Sequence, residues 1–167
     1  LAYMNANGFA AGYYRLPMVM IGVNRTLGPP WNIWADQGDT LSLRDAAWMQ
    51  FYCEAHQDLV DTILLAFRVA EDSRVLLPAL IAQDGFIVSH TQMVVDLPEQ
   101  ELVDQYLPHC NVPHRVKGQG VTVGGMTFPH ETEKHRMEIQ AAMERVPEVL
   151  GEAIDEFEKI FGRRPHG

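Results

Sequence analysis

Apolar residues run almost without a polar break through PMVMIGV, residues 17–23, and again through VLLPALIA, residues 75–82. Unalternating runs of this length suit strands covered on both faces. We place the first strand over 16–24, with Pro17 at its opening position, and the second over 75–85, where Pro78 is discordant because proline lacks a ladder donor.

Helical spacing dominates elsewhere. Leu1–Tyr14 reads as a helix, and Leu43–Cys53 as another with Ser42 as its cap. Over Asp58–Ala70, Leu59, Ile63, Ala66, Phe67 and Ala70 recur on one face, which leaves Asp58, Asp61 and Arg68 outside. Phe86–Leu97 is expected to hold a loop and a short strand, and Pro98–Leu107 a short acidic helix. Arg136–Phe161 is amphipathic, with Ile139, Met143, Val146, Leu150, Ile154, Phe157 and Phe161 set three or four apart. Pro147 should kink it or start a new segment, and its stripe is expected to pack on its own chain rather than on a partner.

The order helix, strand, loop, helices, strand predicts an α/β fold with a parallel sheet. Glycines 118, 120, 124 and 125 with prolines 113 and 129 make residues 109–129 an irregular connector. The chain therefore divides into 1–108, a linker over 109–129, and a helical segment over 130–167. It starts at Leu1, without Met, inside LAYMNANGFAAGYYR, and this predicts a piece of a longer polypeptide.

Composition narrows the function classes. With 47% hydrophobic and 21% charged residues in 167, the chain is a soluble globular mixture of domain size. Its net charge of -9 and pI near 5.1 oppose nonspecific attraction to nucleic acid or anionic membrane. No apolar run reaches the ~20 residues of a membrane span, and no secretory leader opens the chain, so the expected location is cytoplasmic. Cys53 and Cys110 lie far apart and outside any CxxC pair, which predicts reduced, buried thiols and no thiolate cluster.

Candidate chemistry concentrates in NRTLGPPWNIWADQGD, residues 24–39, where the first apolar run breaks into a loop at the carboxyl end of a strand. Open α/β folds place ligands there. Arg25 offers a planar donor fork suited to a carboxylate, the alternative being a loop salt bridge to Asp36 or Asp39. Asn24, Thr26 and Asn32 can orient a carboxylate, a water or the backbone, or simply cap turns. Pro29, Pro30, Trp31 and Trp34 make either a rigid apolar wall or plain core. Asp36, Asp39, Arg44 and Asp45 suit an ion-pair network or an interface, because carboxylates three apart in a loop fix no acid/base geometry. The second loop, QDGFIVSH at 83–90, should lie beside the first, with Asp84–Gly85 as a turn and His90 as a structural or interfacial histidine.

Two other patterns fail on spacing. HETEKH, residues 130–135, separates its histidines by five positions, unlike a zinc-binding helix, and GQGVTVGG lacks the lysine and order of a phosphate loop.

Taken in order, PMVMIGVNR, PPWNIWADQGD, RDAAWMQFYCEAHQDLVD, RVAED with RVLLPALIAQDGFIVSH, and ELVDQYLP resemble the α-subunit of pyruvate:ferredoxin oxidoreductase, over about residues 1–108. The tail FEKIFGRRPHG also resembles that family's helical lead-in to its next domain. The resemblance implies a partial pyrimidine-type thiamine diphosphate-binding domain. It implies a 2-oxoacid:ferredoxin oxidoreductase that decarboxylates its substrate, transfers the acyl unit to coenzyme A and sends electrons through iron–sulfur clusters to ferredoxin. The coenzyme would be shared with a partner domain, and magnesium and clusters would sit on other domains or subunits.

It further implies that Arg25 faces the substrate carboxylate, with Asn24 and Thr26 beside it. Asn32, Asp36, Asp39, Arg44, Asp84 and His90 would then border the cofactor cleft or an interface. The family's glutamate that contacts the aminopyrimidine ring would lie upstream of Leu1, so no residue is assigned as catalytic acid or base, and none as a metal ligand. NR near PPWNIW resembles the pyruvate branch. The competing class is a noncatalytic binding or assembly module that retains the fold.

Overall fold

Val19–Asn24 (β1), Met49–Cys53 (β2) and Ala79–Asp84 (β3) form a three-stranded parallel sheet in the computed structural model of the chain, with β3 in the centre. The structure describes residues 2–110 and 124–165, so most of the 109–129 connector lies outside the described residues. Ala2–Tyr13 (α1), Gly38–Leu41 (α2), His56–Ala70 (α3), Ile87–His90 (α4), Gln100–Tyr106 (α5) and Pro129–Phe161 (α6) surround the sheet.

Both apolar runs become strands, but later than the sequence suggests. Pro78 stands immediately ahead of β3, where its missing N–H costs no ladder bond and its carbonyl accepts the Met49 N–H at 2.9 Å. β3 is buried on both faces, as its composition requires, whereas β1 forms one edge of the described sheet and leaves Ile21 45% exposed.

The helix expected over Leu43–Cys53 is absent. Residues 42–47 turn, Ser42 Oγ donates to the Asp39 carbonyl at 2.6 Å instead of capping, and MQFYC forms β2. The reason is a period of two: Met49, Phe51 and Cys53 join the larger core, while Gln50 and Tyr52 bond to Thr40 on the other face. Burial pushes the Cys53 thiol up from its ordinary range, which keeps it protonated. The strand expected within Phe86–Leu97 is likewise absent: four residues form α4 and the rest is irregular.

Two cores flank the sheet. The larger packs β2 and β3 against α3, α5 and α6 through Leu65, Val69, Ile81, Tyr106, Val149 and Phe157. The smaller joins Ala11 of α1 to Leu43, Ala46, Trp48 and Leu80, and the Trp48 indole donates to the Gly8 carbonyl at 2.8 Å. α1 approaches so closely that a Cβ on Gly12 would stand 1.8 Å from the Ala46 carbonyl oxygen.

α6 starts cleanly because Pro129 occupies its first turn and the Glu131 carboxylate accepts the Phe128 N–H at 2.8 Å. It stops at Gly162, whose φ of 70° suits glycine. Helix assignment continues through Pro147, so no new segment begins there. Its apolar stripe covers α3 and α5, as the periodicity indicates, and the Tyr106 hydroxyl donates to the Ala153 carbonyl at 3.1 Å. Among the described residues no helix is long and apolar enough to cross a membrane.

Charged groups lock α6 onto α3. Asp61, expected outside, is completely buried, and its carboxylate pairs with the Arg163 guanidinium at the end of α6. Arg68 bonds Glu156 at 2.8 Å, and Arg74 bridges Asp72 at 2.9 Å and Glu152 at 2.6 Å.

Hydrogen bonds from the Arg74 guanidinium hold both Asp72 and Glu152 below the usual carboxylate range. Because both folded pKa values are depressed, this linkage is complete at neutral pH and lost as acid protonates the carboxylates, below about pH 4. The protection of α6 amides around Glu152, measured relative to intrinsic exchange at each pH, should therefore fall from pH 5 towards 3, and Arg74→Ala should remove that pH-dependent component. The effect is small because the Arg74 and Glu152 side chains are substantially exposed, while Asp72 is largely covered.

Candidate functional site

β1 and β3 are in register, Asn24 against Asp84, so the loops that leave them emerge side by side at the carboxyl end of the sheet. They touch at Gly85, which is buried. A Cβ there would lie 1.8 Å from the Asn24 carbonyl oxygen and 2.6 Å from Arg25 Cγ, distances that only the absence of a side chain permits.

The short helix α2 closes the other side. One Asp39 oxygen accepts the Arg25 backbone N–H at 3.1 Å and the other accepts the Thr40 N–H at 2.8 Å. Asn24 is 1% exposed, and its amide donates to Thr40 Oγ1 at 3.2 Å. Thr40 Oγ1 lies 3.3 Å from the Tyr52 hydroxyl, which donates to Gln50, and the Gln50 amide returns to the Thr40 carbonyl at 2.9 Å. This small polar network ties β1, α2 and β2 together beneath the loop.

Arg25 itself is exposed, and its guanidinium forms no ion pair among the described residues. The salt bridge to Asp36 or Asp39 is not made: Asp39 binds backbone, and Asp36 accepts the Gly38 N–H at 2.7 Å. A fixed backbone, a supported stem and an uncommitted donor fork are what a carboxylate receptor needs.

The remaining predicted positions separate. Thr26 donates to Asn32 Oδ1 at 3.1 Å, which also accepts the Trp34 N–H at 2.9 Å, so both residues pin the loop to itself. Among the described residues Arg44 pairs with its neighbour Asp45, at 3.6 Å, and the two line a groove with Tyr13, Arg136 and Met143. Arg44 is thus not brought to the Arg25 loop, and the four charges form no network.

Trp31 is 75% and Trp34 56% exposed, so neither is core. Trp34 meets Phe86 edge-on at 5.6 Å, and Phe86 stacks on His90 at 5.2 Å, joining the two loops through an aromatic ladder. His90 Nδ1 lies 2.7 Å from Ser89 Oγ. Thr91, next along, anchors this loop to α3, where His56 Nε2 meets the Thr91 carbonyl at 3.1 Å.

Two buried acceptors at this end, Asn24 Oδ1 and Asp84 Oδ1, have no hydrogen-bond partner among the described residues. Buried oxygens of this kind require a donor, so they fit a surface completed by another molecule. Among the described residues no cluster of three or more His, Cys, Asp or Glu side chains is arranged to hold a metal ion. The exposed surface at this end therefore carries the Arg25 guanidinium and the aromatic faces of Trp31 and Trp34.

Thr40, Gln50 and Tyr52 are not among the positions singled out from sequence. Gly85 carried a signal as half of a turn, but its close approach to Arg25 depends on β1 lying beside β3.

Comparison with known proteins bears on this geometry. Residues 1–155 match the family described as pyruvate flavodoxin/ferredoxin oxidoreductase, thiamine diphosphate-binding. Over 98% of its length the chain is 46% identical to pyruvate synthase subunit PorA of Pyrococcus furiosus, covering 42% of that protein. It is 41% identical to the same subunit from Methanothermobacter thermautotrophicus over 98% of its length and 43% of the relative. It is also 41% identical to ketoisovalerate oxidoreductase subunit VorA of Pyrococcus abyssi, over 93% of this chain and 39% of that subunit. The chain spans about two fifths of the length of these curated relatives.

Proposed function

The chain belongs to the pyruvate flavodoxin/ferredoxin oxidoreductase family of thiamine diphosphate-binding domains, and on that premise we propose that it supplies the substrate-carboxylate wall of a 2-oxoacid:ferredoxin oxidoreductase, with pyruvate as substrate. Residues 1–108 are the later part of the pyrimidine-binding domain, 109–129 the linker and 130–167 the approach to the next domain. The coenzyme lies between this wall and a diphosphate-binding domain of a partner subunit. Magnesium and the iron–sulfur clusters reside on other domains or subunits, and coenzyme A and ferredoxin serve the complete enzyme.

One observation carries the proposal. Arg25 stands at the carboxyl end of the sheet with its guanidinium unpaired among the described residues, while its backbone and stem are held by Asp39 and Gly85. Thiamine diphosphate, when bound, supplies the nucleophilic carbon and the sink for the electrons released with CO2. This chain's part is to hold the carboxylate by two parallel N–H bonds, to orient the adjoining carbonyl, and to exclude water with Trp31, Trp34 and Phe86.

The test is turnover by the full-length chain assembled with its partner subunits, across pyruvate, ketoisovalerate and 2-oxoglutarate. The highest kcat/KM is expected for pyruvate, with coenzyme A and ferredoxin required. Calorimetry should show micromolar thiamine diphosphate binding by the assembly and none by the 167-residue chain. An assembly that forms normally but never binds the coenzyme would instead make this a noncatalytic assembly module.

A further inference from the structure

We propose that Gly85 and Asp39 are positioning residues for Arg25, so that the loop after β3 and the helix after the first loop jointly set where the guanidinium stands. The inference rests on the reading of Arg25 as the carboxylate receptor and goes beyond it by naming what aims that receptor.

Arginine has a long flexible stem, and a useful receptor must not lose its geometry to rotamer freedom. Here the stem is confined from its first atoms. Asn24, at the end of β1, is fixed sideways by its ladder register with Asp84 and from its side chain by Thr40. Arg25 follows directly, and its N–H is taken by the Asp39 carboxylate at 3.1 Å. Its Cγ then lies over the space where Gly85 lacks a side chain.

An alanine at position 85 would press on the Asn24 carbonyl, which belongs to a buried residue at the end of a paired strand, as well as on Arg25 Cγ. Neither backbone gives way cheaply, so the flexible arginine stem is displaced with it. Asp39→Asn acts differently. It keeps size and one acceptor oxygen but removes the charge and the second oxygen, so the Arg25 and Thr40 N–H groups no longer each have their own acceptor.

The experiment uses the complete enzyme, with pyruvate as the probe. It compares Gly85→Ala, Asp39→Asn, Arg25→Ala and the two double variants that combine a positioning change with Arg25→Ala, measuring kcat, KM for pyruvate and Kd for thiamine diphosphate. Misplacement by about 1 Å should lower kcat/KM by about 10²-fold in Gly85→Ala, mainly through KM, with coenzyme Kd unchanged. Asp39→Asn should lower it in the same sense, about tenfold. Neither change should add to the loss in an Arg25→Ala background, because a positioning residue has nothing left to position.

If Gly85→Ala fails to assemble, Asp39→Asn and its double variant decide. Wild-type KM in the positioning variants, or losses that add fully to that of Arg25→Ala, would overturn this inference while leaving Arg25's role intact. A wild-type KM in Arg25→Ala itself would instead overturn the underlying reading.

Discussion

Replacing Arg163 by alanine in the full-length chain should lower the stability of the α3–α6 unit by about 3–5 kcal/mol, the usual consequence of stripping the partner from a buried charge. Asp61 is completely buried on α3, and the Arg163 guanidinium grips it from the end of α6, with one of the two bonds at 2.7 Å. Gln57 adds a third donor at 2.9 Å. Without Arg163 the carboxylate keeps the Gln57 bond but loses both guanidinium bonds and the charge that compensates its own. Arg163→Lys should cost less, because it retains the charge and loses the fork.

The same change should also loosen the segment ahead of α5. Gln57 exchanges hydrogen bonds with the Asp96 backbone, its amide donating at 3.2 Å and its oxygen accepting at 2.7 Å, while Asp96's carboxylate lies 3.7 Å from Arg163. Amide exchange measured across α3, α6 and residues 91–99 reads both effects. A loss below about 1 kcal/mol would place the pair with ordinary surface bridges and refute this account of it.

A second large effect is expected at Arg25. Two charge-assisted hydrogen bonds contribute about 3–4 kcal/mol together, so Arg25→Ala in the assembled enzyme should reduce kcat/KM for pyruvate by about 10²- to 10³-fold. Stability should hardly move, since the guanidinium has no ion pair among the described residues to lose. Arg25→Lys should fall between, keeping attraction without the bidentate geometry. A normal specificity constant in Arg25→Ala would remove the residue from substrate recognition.

How far these features could be read in advance depended on whether they were local. The α3 and α6 stripes, the buried character of β3 and the loop bearing Arg25 each follow from neighbouring residues, and the structure contains all of them. β2 escapes a local reading because LRDAA ahead of it has helical spacing, and the alternation in MQFYC is only five residues long. Pairing with β3 decides the matter, and that pairing is not local. The charge of Asp61 argues for an outside position, although it stands four residues before buried Leu65 on the same face of α3. Its partner is 102 positions away.

The site divides in the same way. Arg25 stands out as a candidate from its loop and its motif, whereas the Thr40–Tyr52–Gln50 network requires β2 to exist as a strand. Gly85 under Arg25 requires β1 to neighbour β3. The exposed positions of Trp31 and Trp34 likewise run against the usual burial of tryptophan.

A structure of the complete assembly with thiamine diphosphate and pyruvate bound is the most direct test of the central claim. The account predicts both carboxylate oxygens of pyruvate about 2.7–2.9 Å from the Arg25 guanidinium nitrogens, with the Arg25 stem still resting on Gly85. A pyruvate carboxylate held by other residues, with Arg25 turned away from the coenzyme, would contradict it.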